Sequence, residues 1–161
     1  MEKRPYKRKD KLIKDKRHDF YREQQKLPEP TVCPKCNALF VNGRWTWETS
    51  SEKPNQAQCP ACRRSADNLP AGQIEIKGEF FKAHYDEILN LVRNTEEQEK
   101  TAHPLERIMS VTGNGEKTVV TTTGIHVARR IGEALSRSYK GEHNFQYGDG
   151  EQSIIVRWER N

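Results

Sequence analysis

Cys33-Pro34-Lys35-Cys36 and Cys59-Pro60-Ala61-Cys62 are two Cys-x-x-Cys pairs separated by 22 residues, and they hold all four cysteines of a 161-residue chain. At this doubled spacing four thiolates can reach one tetrahedral Zn²⁺, each pair gripping the metal through a tight turn in which the proline fixes φ. Disulfides, thioredoxin-like redox pairs and iron–sulfur clusters also use closely spaced cysteines. A disulfide framework normally accompanies a secretory signal, and a redox site uses one pair beside a βαβ pattern, so the matched pairs argue against both. Zinc is the simplest reading. Four thiolate ligands leave no open coordination position, so one structural zinc ion is expected and catalysis at the metal is not.

The residues between the pairs agree. Ala38-Leu39-Phe40-Val41 and Arg44-Trp45-Thr46-Trp47-Glu48 are two β-rich runs joined by Asn42-Gly43, the dipeptide that best favours a type I′ hairpin. A hairpin between two metal knuckles predicts a four-cysteine zinc ribbon over 31–68. A unit of roughly forty residues cannot bury a sufficient core alone, so the metal is expected to supply on the order of 10 kcal/mol of its folding free energy. Residues 50–58 contain Ser, Pro, Asn and Gln with almost no apolar side chain and read as an exposed loop. Alternation puts Trp45 and Trp47 on one strand face, one sealing the small core and the other a candidate stacking surface. Arg44, Arg63 and Arg64 are candidate RNA contacts beside them.

Charge is concentrated at the front. Residues 1–30 carry eleven Lys/Arg against six Asp/Glu, residues 31–66 five against two, and the remainder twelve against fifteen, within a net charge of +5. Lys3, Arg4, Lys7, Arg8, Lys9, Lys11, Lys14, Lys16 and Arg17 are interleaved with Tyr6, Phe20 and Tyr21. Cations that neutralise phosphates beside rings that stack on unpaired bases suit irregular or single-stranded RNA. A solubilising tail is the bland alternative. With Leu12 and Ile13 as its few apolar positions, the segment 1–30 is expected to be a disordered basic tail ending in a stiff Leu27-Pro28-Glu29-Pro30 linker. Mean hydropathy is −1.02. No apolar stretch approaches a membrane span and the front lacks a signal-peptide core, so a cytoplasmic protein without membrane partners is expected.

From residue 73 to 161 the pattern is that of an α+β domain. Gln73 to Phe80 alternates as a strand, residues 80–97 carry Phe81, Tyr85, Ile88, Leu89 and Val92 at helical spacing, and residues 105–112 and 117–122 form a hairpin. Thr123 is the expected N-cap of a helix over 124–139, with Ile125, Ala128, Ile131, Leu135 and Tyr139 as its buried stripe. Residues 143–147 and 153–159 read as two final strands. The order β-α-β-β-α-β-β predicts a ferredoxin-like split-βαβ sandwich with an added C-terminal strand.

Nothing in the chain carries a catalytic motif: P-loop, nucleophile elbow, His-Glu-x-x-His and dinucleotide fingerprint are all missing. Thr121-Thr122-Thr123-Gly124 could greet a phosphate at a helix N-terminus, but it lacks the Lys and repeated Gly of a specific site. A binding protein without a small-molecule substrate is therefore expected, with an enzyme site hidden in the α+β domain as the competing reading.

The two Cys-Pro-x-Cys knuckles, followed by Thr121-Thr122-Thr123-Gly124-Ile125-His126-Val127-Ala128-Arg129-Arg130-Ile131-Gly132-Glu133-Ala134-Leu135, resemble the zinc-bearing N-terminal region of the large-ribosomal-subunit export adaptors of eukaryotes and their archaeal relatives. They resemble more closely a bacterial family of short zinc-ribbon proteins with the same Leu-Pro-Glu-Pro-Thr-Val-Cys-Pro approach. The likeness spans about residues 27–140. The export adaptors carry eight cysteines and long additional domains, so nuclear export is not implied. Association with the ribosome and rRNA is, and it would suit a stress or hibernation factor occupying a functional site. A zinc-ribbon DNA-binding or transcription accessory factor is the alternative.

Overall fold

A computed structural model describes residues 27–161. The expected disorder of the basic tail falls on residues 1–26 and lies outside the described residues. The rest is α+β, with two mixed sheets and four α-helices. No helix among the described residues is long and apolar enough to cross a membrane.

The cysteine-bearing unit is built on β1 (Thr31–Val32), β2 (Leu39–Val41), β3 (Arg44–Thr46) and β4 (Asn55–Gln56), ordered β3-β2-β1-β4. Asn42 and Gly43 take φ of 55° and 78°, the two positive values a type I′ turn demands, and they close the β2–β3 hairpin as expected. The stretch read as an exposed loop contains β4, which pairs in parallel with β1. Helix α1 (Pro60–Asp67) is a further departure from the expected pattern. Its signals are local: Pro60 at the first helical position, and Asn68 in the left-handed conformation at its end.

The second unit runs β5 (Gly72–Lys77), α2 (Glu79–Ala83), α3 (Tyr85–Ala102), β6 (Ile108–Gly113), β7 (Lys117–Thr122), α4 (Ile125–Tyr139), β8 (Glu142–Tyr147) and β9 (Ile154–Glu159). The single helix expected over 80–97 is two, broken at His84, and the second continues to Ala102. Along β5, Ile74 and Ile76 face the helices while Gln73, Glu75 and Lys77 alternate to the open face, where Glu75 meets Lys117 and Arg157 at 3.0 and 3.2 Å. Phe81, Ile88, Leu89 and Val92 from α2 and α3, and Val127, Ala128, Ile131 and Leu135 from α4, complete one core with Val120, Ile154, Val156 and Trp158.

Strand order departs from the ferredoxin-like expectation at one edge. The sheet reads β6-β7-β5-β9-β8, so the split arrangement of β5 and β6 around β7 is present. The strand after α4 does not take the place beside β5; β9 does, in parallel, and β8 is displaced to the edge. Burial explains the exchange. β9 offers Ile154, Val156 and Trp158 to the core, each about 1 % exposed or less, whereas all of β8 except Phe145 is exposed.

Gly132 marks the tightest seat of α4 on this edge. A Cβ there would stand 2.5 Å from Phe145 Cε1 and 2.7 Å from Val156 Cγ1, closer than carbon atoms approach. Helix propensity alone predicts that Gly132→Ala gains about 1 kcal/mol. Overpacking reverses the sign, and the variant is expected to lose about 1–3 kcal/mol in urea unfolding followed through Trp158 fluorescence; a gain would show that α4 can lift off the sheet at no cost.

Candidate metal centre

Each cysteine pair is shaped by its own backbone. In the first, Cys33 N–H donates to Ala38 O at 2.9 Å and Asn37 N–H to Cys33 O at 2.8 Å, with Asn37 at a φ of 67°. This turn points Cys33 and Cys36 the same way. In the second, Cys59 is the N-cap of α1, and its Sγ accepts from Cys62 N–H at 3.4 Å. Cys33 and Cys59 are fully buried and Cys36 and Cys62 half-buried.

The four Sγ atoms lie within 4.8 Å of one another and none is in a disulfide. Cys36 Sγ and Cys59 Sγ are 3.8 Å apart. A tetrahedron of sulfurs around an ion at the ~2.3 Å of zinc–thiolate bonds has edges of about 3.8 Å. The cage therefore fits one metal ion. Its electrostatics call for a cation. Burial pushes the Cys59 and Cys62 thiols above their ordinary 9.0. At Cys33 burial acts in the same sense, but the backbone N–H groups of Cys59, Cys36 and Lys35 outweigh it and bring that thiol down to about 7. Burial thus raises two of the thiols while backbone donors lower one, and ionising all four side by side requires a positive charge among them.

Part of that charge comes from a residue that sequence reading did not single out. Arg107 donates through Nη1 to Cys62 Sγ at 3.3 Å and through Nη2 to Cys36 Sγ and Cys59 Sγ at 3.1 and 3.6 Å. Its Nε donates to Pro104 O at 2.6 Å, which fixes the fork. Burial works against the guanidinium charge, but the sulfurs of Cys62 and Cys36 outweigh it and hold the group protonated beyond its ordinary range. Arg107 lies 45 residues after Cys62, and no spacing rule connects them.

Thr123 and Glu106 place this arginine. Thr123 is not the side-chain N-cap expected of it: the cap position is Gly124, which has no side chain to offer. The Thr123 hydroxyl instead donates to Leu105 O at 2.6 Å and accepts from Arg107 N–H at 2.9 Å. The Glu106 carboxylate takes over at the helix terminus, accepting from Val127 N–H at 2.8 Å. Leu105 packs against the cysteine cluster. Three consecutive residues thus touch the metal cage, cap α4 and pair with the thiolates.

The other candidate residues divide. Lys3, Arg4, Tyr6, Lys7, Arg8, Lys9, Lys11, Lys14, Lys16, Arg17, Phe20 and Tyr21 lie outside the described residues. Trp45 is half-buried against the cysteine cluster, edge-on to Phe40 at 5.5 Å, and is the tryptophan that seals the small core. Trp47 is 37 % exposed. Its Nε1–H donates to Lys100 O at the end of α3 at 2.7 Å, and the Arg107 guanidinium lies 5.7 Å from its ring centre. Arg64 is a correction. It is 9 % exposed and donates to Leu69 O at 3.1 Å, closing the C-terminus of α1 rather than facing a ligand. Arg63 is half-buried on the same helix, and Arg44 is exposed at the start of β3. A cleft of about 1070 Å³ between the hairpin, the end of α3 and the start of α4 is lined by Leu27, Arg44, Trp45, Trp47, His126, Arg129 and Arg130, with Glu48, Glu99 and Glu106 among them. Glu99 pairs with Arg130 at 3.3 Å.

Metal uptake must displace the protons that burial keeps on Cys59 and Cys62. Adding zinc to the reduced, metal-free protein at pH 7 is expected to release at least about two protons per ion, measured with a pH indicator in weak buffer, and acidification is expected to expel the ion; release of less than one proton would contradict the raised thiols. In comparisons with models of protein families, with curated proteins and with solved structures, nothing matches the chain, so the centre is read from its own residues and their geometry.

Proposed function

We propose that the centre holds one structural zinc ion and that the chain is a ribosome-associated RNA-binding protein rather than an enzyme. An iron–sulfur cluster would need room for several irons and bridging sulfides between the thiolates, and the 3.8 Å sulfur separation suits a single ion. A closed set of four thiolates is a common structural zinc site. On this reading the first unit is a four-cysteine zinc ribbon. The second is a variant of the ferredoxin-like sandwich in which the last strand is inserted into the sheet.

The observation that carries the RNA reading is where the basic segment is attached. Residues 1–26 hold eleven Lys/Arg against five Asp/Glu. Leu27, which follows directly, lines the cleft that also presents Trp47, Arg44 and Arg129. Exposed rings next to cations suit unpaired bases, and the basic segment supplies the attraction to phosphate that the mixed charges of the cleft do not. Ribosomal RNA offers both features at high density, in agreement with the resemblance of the cysteine knuckles to ribosome-associated families. Binding at a functional site of idle ribosomes, as a hibernation or stress factor, is the most specific form of the proposal. Catalysis has less support. Thr123 is occupied by backbone partners, and His84 and His126 contact Glu87 and Arg129 rather than a nucleophile.

Co-sedimentation with ribosomal subunits at several salt concentrations tests this. Deleting residues 1–26 is expected to make the slope of log K against log salt shallower by about 4 to 5 units if some six cations contact phosphate. Changing Tyr6, Phe20 and Tyr21 to Ala is expected to cost about 1–3 kcal/mol for each ring that stacks, with the slope unchanged. Equal affinity and equal salt dependence for the truncated chain would remove the tail from the interface. Preference for duplex DNA over ribosomes would favour a transcription accessory factor.

A further inference from the structure

We infer that Arg107 is a positioning residue that locks the α+β unit onto the metal centre, so that metal occupancy sets the arrangement of the two units and the cleft between them. The inference rests on the cage holding a divalent ion; its link to RNA rests on the proposed function.

The charge balance gives the lock its direction. A dication held by four thiolates carries a surplus of two negative charges. Arg107 is the cation set against it, with Nη1 on Cys62 and Nη2 shared between Cys36 and Cys59. Its other polar partner is the Pro104 carbonyl, and no carboxylate pairs with it among the described residues. A guanidinium placed this way depends on the cage staying assembled. Were the cage to open for want of its ion, the half-buried guanidinium would keep only the Pro104 carbonyl and the face of Trp47. Water then competes better for it than the ribbon does.

The geometry spreads this dependence beyond one side chain. Leu105 packs on the cysteine cluster, and Thr123 ties the backbone of Leu105 and Arg107 to the start of α4. On the other side, Trp47 is fastened to the Lys100 carbonyl at the end of α3 and covered by the Arg107 guanidinium. These contacts join the two units, and Trp47 and Leu105 among them line the cleft. A zinc-loaded ribbon is thus needed twice, once to fold and once to hold Trp47 against α3. Hydrogen bonds to the sulfurs also withdraw electron density from them, which makes the bound thiolates poorer nucleophiles and slows metal release.

Full-length Arg107→Gln and Arg107→Lys, each loaded with zinc or with cobalt(II), test the lock. Arg107→Gln is expected to retain one ion per chain but to pass it to a competing chelator about 10-fold to 100-fold faster. Its sulfur-to-cobalt charge-transfer band should move to lower energy as the thiolates lose their donors. In NMR the Trp47 indole N–H should exchange at least about 10-fold faster, with Trp158, which donates to Lys140 O inside the other unit, unchanged as internal control. Residual dipolar couplings should then need two alignment tensors where the parent protein needs one. Arg107→Lys, which keeps the charge but loses the fork, should fall between. If either variant holds its ion with the band, Trp47 exchange and single tensor of the parent, the lock is refuted; Arg107→Lys decides alone should Arg107→Gln fail to fold. Ribosome binding that survives in an uncoupled variant would remove the cleft from the RNA proposal and leave the lock standing.

Discussion

Four buried or half-buried sulfurs within 4.8 Å are a repulsive arrangement as thiolates. A cation in the middle removes the conflict, and the polar groups that touch the cage are donors suited to negative charge. Backbone N–H groups of the first knuckle lower Cys33, the N-terminus of α1 turns toward Cys59, and an arginine from the other unit closes the outside. Because that arginine sits in Leu105-Glu106-Arg107, the electrostatics of the cage reach α4 and β6 within a few bonds.

Counting charged residues along the chain misses this. Residues 31–66 are basic by count, yet Arg64 is spent inside α1 on the carbonyl of Leu69. The acidic balance of the remainder includes Arg107, directed inward at the thiolates, and Glu106, placed on a helix terminus. The surface available to a polyanion therefore differs from the sequence tally in both units. Along the described residues, Arg44, Arg129 and the Glu99-paired Arg130 remain at the cleft.

Features set by near neighbours were legible in the sequence. The Asn42-Gly43 hairpin, the paired knuckles, the alternation of β5 and the Ala128, Ile131 and Leu135 centre of the α4 stripe all follow from residues within a few positions of one another, while Ile125 and Tyr139 of that stripe are only half-buried. Elements carried by few apolar residues were not: α1 lies in a polar stretch, and β4 pairs only through Asn55 and Gln56. Features set by distant partners were illegible for a different reason. Thr123 looks like a cap, and becomes a tie for Arg107 because Glu106 approaches the helix from elsewhere. The neighbour of β5 is settled between two strands, and the buried Ile154, Val156 and Trp158 favour the later one.

That late strand has a consequence for how the protein is made. The knuckles, the hairpin and α1 all fall between residues 31 and 68, so the metal-bearing unit is fully available early in synthesis. The central strand β5 pairs on one side with residues 154–159, and the sheet stays open along that side until they emerge from the ribosome. Vectorial synthesis then imposes an order: the four cysteines are all available while the backbone edge of β5 still lacks its β9 partner. Arg107 arrives between these two events. The arginine therefore meets a cysteine set that is already complete, before the core behind it has closed.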